Sequence, residues 1–161
     1  MTQEIKLNLL NSLIQKLEEE LNIHISQYEK AKFNSIDAPT RMESRYDSSG
    51  IEAAWLADGL SNKIEEKRTE ILRLSNITLN TTPNKVTTGC IVEISKPGID
   101  KNEYIFILPV AGGYLVKDNN YEVNTIKFNS PLGKCLINKT KGEIVSLDFL
   151  PEKEVTIVNI Y

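Results

Sequence analysis

Apolar residues in the first 76 positions recur at helical intervals. One set lies three, four or seven residues apart and comprises Leu10, Leu13, Leu17, Leu21 and Tyr28, with Ile14 and Ile25 beside them. A second set has similar steps and comprises Ile51, Trp55, Leu60, Ile64, Ile71 and Leu74. Such spacing places apolar side chains on one face of a helix. We therefore predict two amphipathic helices that pack against each other as an antiparallel hairpin.

The segment between the two apolar sets interrupts the helical pattern. It reads NSIDAPTRMESRYDSSG, and its Pro, Ser, Asp and Gly residues favour a turn. We expect Trp55 to pack against the first helix, with a contact to a partner protein as the alternative. For Tyr46, which lies outside both apolar faces, an exposed position and a contact with a partner are both left open. A two-helix hairpin has a thin core, which suggests that it is completed by another domain or by a partner protein.

Beyond residue 76 the pattern changes to short alternating runs. Residues 77–86 are rich in Asn, Thr and Pro and predict a linker. The runs CIVEI, NEYIFILPV, GYLVKD, EIVSLDF and KEVTIVNIY predict strands. Only SPLGKCLIN predicts a helix, with Ser130 as N-cap and Pro131 at the first helical position. The expected fold class is α+β, with a hairpin domain over 1–76, the linker over 77–86 and a β domain over 87–161.

Composition and charge restrict the possible functions. The chain has 161 residues, 40% of them apolar, and a net charge of −3, so it can form cores but lacks a general basic surface for nucleic acid. The sequence shows no secretory signal and no membrane-spanning run, which predicts a cytoplasmic protein. Cys90 and Cys135 are expected to be buried free thiols. His24 is the only histidine, so zinc binding and Cys–His catalysis are disfavoured.

Clustered carboxylates in the inter-helix region are the main candidates for chemistry. Oxygen ligands of this kind suit Mg²⁺, although alone they would bind it weakly. The alternative, which the residue types by themselves favour, is that these are solubilising charges, with Asp37 and Asp47 serving as caps or turn formers. The acids are Asp37, Glu43, Asp47, Glu52 and Asp58, interspersed with the basic Arg41 and Arg45.

The residues IKFNSPLGKCLINKTKGEIVSL, from Ile126 to Leu147, resemble the signature of the C-terminal domain of the GreA/GreB family of transcription elongation factors. With GCIVEISKPG upstream and the final KEVTIVNIY, the resemblance covers most of residues 86–161. It implies an FKBP-like antiparallel β domain around one short helix, which docks on RNA polymerase through the helix start at Ser130, Pro131, Leu132 and Gly133. Alternatively, Ser130 and Pro131 only start the helix, and Gly133 only allows close packing.

The same resemblance implies a role for the hairpin. In cleavage-competent members the hairpin enters the secondary channel of the polymerase, where acidic residues help to hold a second Mg²⁺ and to orient water. Glu43 and Asp47 match that acidic pair most closely, whereas another register would use Asp37 or Glu52. Here the stretch MESRYDSSG departs from the family pattern, because Arg45 separates the two acids. Contacts with the polymerase are expected from Asp37, Arg45, Tyr46 and Glu52.

Three functions are compatible with these features. The first is a polymerase-binding factor that stimulates cleavage of backtracked RNA, with Mg²⁺ shared with the polymerase and no stably bound cofactor. The second is a regulator of the same architecture that occupies the channel without cleavage. The third is a prolyl isomerase or chaperone on an FKBP-like domain, which we do not expect because most aromatic residues of this half lie on predicted strands. In the first two, the chain is not itself an enzyme, and it meets nucleic acid only through the polymerase.

Overall fold

The computed structural model describes residues 1–37, 48–80, 83–99, 101–118, 120–147 and 154–161. In these ranges the elements are α1 (Gln3–Asp37), α2 (Ser49–Ser75), β1 (Ile91–Ser95), β2 (Glu103–Leu108), β3 (Leu115–Asp118), β4 (Tyr121–Lys127), α3 (Pro131–Leu136), β5 (Ile144–Ser146) and β6 (Glu154–Ile160). The predicted α+β class, a helical hairpin followed by a sheet with one short helix, is confirmed. Contacts define two compact units, Gln15–Leu72 and Met1–Ile14 with Arg73–Tyr161. The sequence pattern places all of α1 in the hairpin domain, whereas the contacts group its first 14 residues with the sheet.

A single seam of side chains holds the hairpin unit together. On α1 its half-buried or buried positions are Leu17, Leu21, His24, Tyr28, Ala31 and Ser35, and on α2 they are Ala53, Ala57, Leu60, Ile64, Lys67 and Ile71. These positions alternate three and four residues apart, which is the spacing of a heptad repeat. Ala31, Ala57 and Leu60 form a buried cluster, and Tyr28 packs against it. Each helix therefore contributes only a narrow stripe to the interface.

Trp55 lies outside this seam. Its side chain is 71% exposed, so the prediction that it packs against the first helix is wrong. Ile51, the next member of the predicted apolar face, is 45% exposed. The physical reason is that Ala53 and Ala57 occupy the seam here, and residues two positions away from a seam residue are rotated by about 200° around the helix.

Two polar side chains occupy seam positions nearer the middle of the hairpin unit. Lys67 Nζ lies 2.8 Å from a carboxylate oxygen of Glu20 on α1 and 3.3 Å from one of Glu70. His24 is half-buried, and its Nδ1 is buried without a hydrogen-bond partner among the described residues. Polar residues in a helix–helix seam reduce stability but define the register of the helices.

The strands form one six-stranded sheet in the order β3-β4-β2-β1-β6-β5. β2 and β4 run parallel, and the other neighbours are antiparallel. The expectation of a wholly antiparallel domain is therefore wrong for one pairing. The chain passes from β2 to the edge strand β3 and then into β4, which lies between β3 and β2 and runs in the same direction as β2. The strand β4 was not among the runs predicted from the pattern, although Val123 and Thr125 are buried and Glu122 and Asn124 exposed in the alternation typical of a strand; the family motif does imply a strand before Ser130.

One face of the sheet packs against α3 and forms a continuous apolar core. The buried members of this core are Val86, Val92, Ile94, Ile105, Ile107, Leu136, Val145, Leu147, Val155 and Ile157. Ile126, Leu132, Cys135, Ile137 and Ile160 are partly buried against it. Both cysteines are free thiols, as predicted, with Cys90 buried and Cys135 half-buried. The alternation of the strands thus places every second residue of β1, β2 and β6 in this core.

The segment that connects α2 to β1 is bonded to the sheet domain. Val86 donates its N–H to the carbonyl of Lys139 at 2.8 Å, and the N–H of Asn138 donates to the carbonyl of Val86 at 2.9 Å. The Asn80 side-chain amide donates to Thr87 Oγ1 at 3.0 Å. The two bonds of Val86 hold the segment against the residues that follow α3, and the Asn80 bond lies within the segment.

Lys6 on α1 is buried although it is a lysine, with 2% of its surface exposed. Its Nζ donates to the carbonyl oxygen of Asn80 at 2.5 Å. Burial lowers the pKa of Lys6, and the nearby Cys90 acts in the opposite direction. This bond ties the first turns of α1 to the connecting segment.

A buried carboxylate joins three neighbouring strands. Glu93 on β1 accepts hydrogen bonds from the side-chain amides of Asn102 (2.7 Å) and Asn159 (3.0 Å), and from the hydroxyls of Tyr161 (2.8 Å) and Tyr104 (3.4 Å). Burial acts to raise the pKa of Glu93, but these four donors outweigh it and leave the pKa below its ordinary value. The same carboxylate contributes, after burial, to raising the pKa of Tyr161 to about 12. A buried charge of this kind is stable only because all its donors are in place.

We predict that Glu93→Gln destabilises the protein by about 1–3 kcal/mol, because the amide turns an NH₂ group toward side chains that themselves donate. Equilibrium denaturation at neutral pH measures this loss. Glu103→Gln, on the adjacent strand, is the matched control, since its ion pair with Lys96 is partly exposed and its loss should cost no more than about 1 kcal/mol. Equal losses in the two variants would contradict the role of Glu93.

The pH dependence provides a second check on Glu93. Its pKa is lowered on folding, so its contribution to stability is present above the ordinary value of 4.5 and is lost as the pH falls through the folded-state value. We expect the stability difference between the parent and Glu93→Gln to shrink as the pH is lowered below about 4.5. Glu122 and Glu143, whose pKa values are also lowered, are common to both proteins and cancel in the difference.

Candidate functional site

At one end of the hairpin, the end of α1 lies beside the beginning of α2. Asn34, Asp37, Ser49 and Ala53 line a shallow cleft of about 330 Å³ there. Asp37 is the last residue of α1 and is exposed, and the last turn of α1 contains no basic residue.

Glu52, in contrast, takes part in the start of α2. Ser48 donates its hydroxyl to Glu52 Oε1 at 2.6 Å, and the carbonyl of Ser48 accepts from the N–H groups of Ile51 and Glu52, both at 3.0 Å. An acidic side chain in the first turn is favoured by the helix dipole. The structure thus gives Glu52 a local role at the start of α2.

The other sequence-predicted residues of this end fall on residues 38–47. Glu43, Arg45, Tyr46 and Asp47 lie outside the described residues, so their roles as ligands or contacts stay predictions. Within the ranges that the structure describes, no group of three or more His, Cys, Asp or Glu side chains is arranged to hold a metal ion. In the same ranges, no helix is long and apolar enough to cross a membrane.

In the sheet domain, the predicted motif residues form the start of α3. Ser130 is the N-cap: its Oγ accepts from the N–H of Gly133 at 3.1 Å and donates to the carbonyl of Lys127 at 2.7 Å. Pro131 follows at the first helical position, where no N–H is needed. Lys134 donates its N–H to the Ser130 carbonyl at 2.9 Å. The N-cap Ser130 and the proline after it thus fix the residue at which this short helix begins.

The next two motif residues secure α3 to the sheet. Leu132 packs against the apolar core. Gly133 is buried, and a Cβ atom at this position would lie 2.3 Å from the carbonyl oxygen of Lys127 and 2.7 Å from that of Phe128. Only glycine fits so close to another stretch of backbone. The structure therefore brings Ser130 to Gly133 together, each with a structural task of its own.

The surface around this helix start is accessible to a partner. Phe128 is 43% exposed, and Asn129 and Pro131 are also exposed. A neighbouring cleft of about 320 Å³ is lined by Gly112, Gly113, Thr125, Ile126, Lys127, Asn129 and Ser130. Lys127, which lines the cleft, and Lys134 on α3 are both exposed.

Two features of the structure were not predicted from the sequence. One is the buried Glu93, which the sequence indicates only as a single charged residue inside the apolar run CIVEI. The other is a pair of exposed apolar residues near the end of α1, Phe33 and Ile36. In the sequence, these two residues could be recognised because they lie beyond Tyr28, the last residue of the predicted apolar face.

No protein-family model matches this chain, and no curated protein sequence is significantly similar to it. Among solved structures, the chain is similar to transcription factors of the Gre type. One is a structure of the transcription factor Gfh1, with 20% identity, coverage of 93% of this chain and 94% of that one, and a TM-score of 0.40. GreA factor homolog 1 (Gfh1) of Thermus thermophilus has 22% identity, coverage of 92% and 94%, and a TM-score of 0.38. GreA/GreB from Nitrosomonas europaea has 15% identity, coverage of 64% and 89%, and a TM-score of 0.35.

We predict that Gly133→Ala destabilises the protein by about 2–3 kcal/mol, because the added methyl group overlaps two carbonyl oxygens. Gly59→Ala is the matched control. A Cβ at Gly59 meets nothing within 4 Å, so alanine in the exposed middle of α2 should stabilise the protein by about 0.5–1 kcal/mol. Thermal unfolding of the two variants should therefore shift in opposite directions, and a shared sign would refute the packing constraint at Gly133.

Proposed function

We propose that this chain is a transcription elongation factor of the Gre type, which binds bacterial RNA polymerase and inserts one end of its hairpin into the secondary channel. The observation that carries the proposal is the helix start at Ser130–Gly133. It lies within the sequence that resembles the Gre C-terminal domain. The same chain also contains a helical hairpin whose seam has heptad spacing. Neither feature alone defines such a factor, because helical hairpins and small β domains occur separately in many proteins.

The form of the hairpin supports insertion into a narrow space. One seam holds two helices together, so the unit that contains it is only two helices thick. Asp37 is exposed at one end of this unit and is a candidate for contact with a partner.

The surface near α3 supports a second contact with the polymerase. Ser130 and Gly133 define the backbone there, and Phe128, Pro131 and Lys134 are exposed. An exposed aromatic ring at a defined helix start is a candidate docking surface, since aromatic residues are enriched at interfaces. In this proposal Ser130 and Gly133 act by shaping the surface.

The first mode of action is stimulation of the polymerase's own cleavage of backtracked RNA. Carboxylate oxygens suit Mg²⁺, and Glu43 and Asp47 would supply ligands to an ion whose remaining ligands come from the polymerase. The chain would then be a cofactor of the polymerase and not an enzyme. The alternative mode is a regulator that occupies the channel without cleavage, which the sequence favours in one respect, because Arg45 stands between the two acids.

A transcript-cleavage assay on a backtracked elongation complex at fixed Mg²⁺ separates the two modes. In the cleavage mode, we expect Glu43→Ala/Asp47→Ala to slow cleavage by about tenfold or more, because it removes the metal ligands. Asp37→Ala/Glu52→Ala tests the other register of the acidic pair. Glu18→Ala/Glu66→Ala, which changes exposed hairpin acids elsewhere, controls for the loss of charge.

Binding to core polymerase is measured in parallel. If the parent binds but cleaves no RNA, the non-cleaving regulator stands. If the parent stimulates cleavage and only the Asp37/Glu52 variant loses it, the register that assigns Glu43 and Asp47 is wrong. Absence of binding by the parent protein would reject the proposed function altogether.

A further inference from the structure

A lysine amine and a cysteine thiol are buried together beside the segment that connects α2 to β1. Lys6 on α1 is 2% exposed, and Cys90, which directly precedes β1, is 0% exposed. Both residues belong to the same compact unit, although they are far apart in the sequence. The proposed function makes no use of either group.

Contacts through the connecting segment hold the two groups in place. Lys6 Nζ donates to the Asn80 carbonyl at 2.5 Å, and the side-chain amide of Asn80 donates to Thr87 Oγ1 at 3.0 Å. Thr87 Oγ1 in turn lies 3.2 Å from Cys90 Sγ, which is within hydrogen-bond distance for sulfur. These four residues thus form one chain of polar groups from the amine to the thiol, which we call the Lys6–Cys90 cluster.

The amine of this cluster is in an unusual environment for a lysine, since lysine is almost never fully buried. In the part of the chain that the structure describes, Lys6 Nζ has one hydrogen-bond acceptor, although an ammonium has three donors. Burial lowers the pKa of Lys6, and Cys90 acts in the opposite direction, which requires that the two groups lie within electrostatic range of each other. The neutral amine, which is a nucleophile, therefore forms at a lower pH than on an exposed lysine.

We propose that Lys6 and Cys90 are the site of a reversible oxidative cross-link, in which hydrogen peroxide converts the thiol to a sulfenic acid and the Lys6 amine condenses with it to a sulfenamide. First, the thiolate sulfur attacks a peroxide oxygen. An S–O bond forms and the O–O bond breaks, so that sulfur is oxidised while the peroxide is reduced to water. Nζ then attacks sulfur. An S–N bond forms, the S–O bond breaks, and the leaving hydroxide takes a proton from nitrogen to become water.

The surroundings of Cys90 favour this product over a disulfide. A sulfenic acid condenses with a nucleophile that lies beside it, either a second thiol or a nitrogen. The other thiol, Cys135, packs against the apolar core under α3, and Cys90 is not a member of that core. The nitrogen of Lys6 is therefore the partner that the fold supplies. The bond would join α1 covalently to the residue before β1 and so fix the connecting segment between them.

The intact mass of the Cys135→Ser variant reports the cross-link, because this change removes the thiol with which Cys90 could form an intramolecular disulfide. Peroxide reaches the buried Cys90 through local opening, so the reaction is followed over time at mildly alkaline pH. We expect the mass to fall by two hydrogens and to return on reduction with dithiothreitol. Digestion with a protease that does not cleave at lysine, followed by tandem mass spectrometry, should identify one peptide pair joined through Lys6 and Cys90.

Variants of the lysine test whether its amine is the nucleophile, all in the Cys135→Ser background. Lys6→Arg keeps the charge but offers a guanidinium that stays protonated in proteins; we expect no cross-link, and Cys90 then proceeds to sulfinic acid. Lys6→Met, which also lacks the amine, serves if the guanidinium disturbs folding, as checked by circular dichroism. Lys30→Arg changes an exposed lysine of the same helix and is the matched control, which should cross-link like Cys135→Ser alone.

Several outcomes would overturn the inference. One is a cross-link to a different lysine, and another is sulfinic acid that forms at Cys90 equally fast with and without the Lys6 amine. A joined peptide pair that retains one oxygen would overturn the S–N bond. If peroxide oxidises Cys135 in the parent protein while Cys90 stays a thiol, Cys90 is inaccessible and the inference is wrong. None of these measurements involves the polymerase, so their failure leaves the proposed function unaffected.

Discussion

The narrow seam between α1 and α2 is the constraint on which the hairpin depends. Two helices share only one interface, so each can bury only the stripe that faces the other. On α2 this stripe is occupied by Ala53 and Ala57, and Ala57 clusters with Ala31 and Leu60, against which Tyr28 packs. The exposure of Trp55 follows from this geometry. The same seam accepts the Lys67–Glu20 pair and thereby defines the pairing of the two helices at the cost of some apolar burial.

In the sheet domain, a buried charged side chain is stabilised by hydrogen bonds. The residues on either side of Glu93 on β1 are buried, and the cost of removing its carboxylate from water is offset by four donors. Those donors come from β2, from β6, from the residue that follows β6 and from the loop before β2, so the network requires three strands to be in register. Lys6 provides a related case, since its buried ammonium depends on the Asn80 carbonyl. Both groups connect parts of the chain that are distant in sequence.

At the candidate contact sites, structural and functional roles are divided between neighbouring residues. Ser130 and Gly133 have structural roles. Ser130 caps α3, and Gly133 lies where only glycine fits beside two carbonyl oxygens. Phe128, Pro131 and Lys134 remain accessible on the surface that those residues shape. The hairpin shows a similar division, because Glu52 forms a hydrogen bond with Ser48 at the start of α2, whereas Asp37 is exposed. Residues of the first kind make a surface rigid, and residues of the second kind are available to a partner.

The sequence by itself determined the two long helices, the change to strands after residue 76 and the start of α3 at Ser130, because spacing and capping act over a few neighbouring residues. It also pointed to the motif region and to the acids between the helices as candidate sites. Only the tertiary structure decided that Ala53 and Ala57, and not Ile51 and Trp55, enter the seam. It likewise decided that β4 lies parallel to β2 and that Glu93 meets four donors. These outcomes depend on contacts between residues far apart in the chain, which local periodicity does not encode.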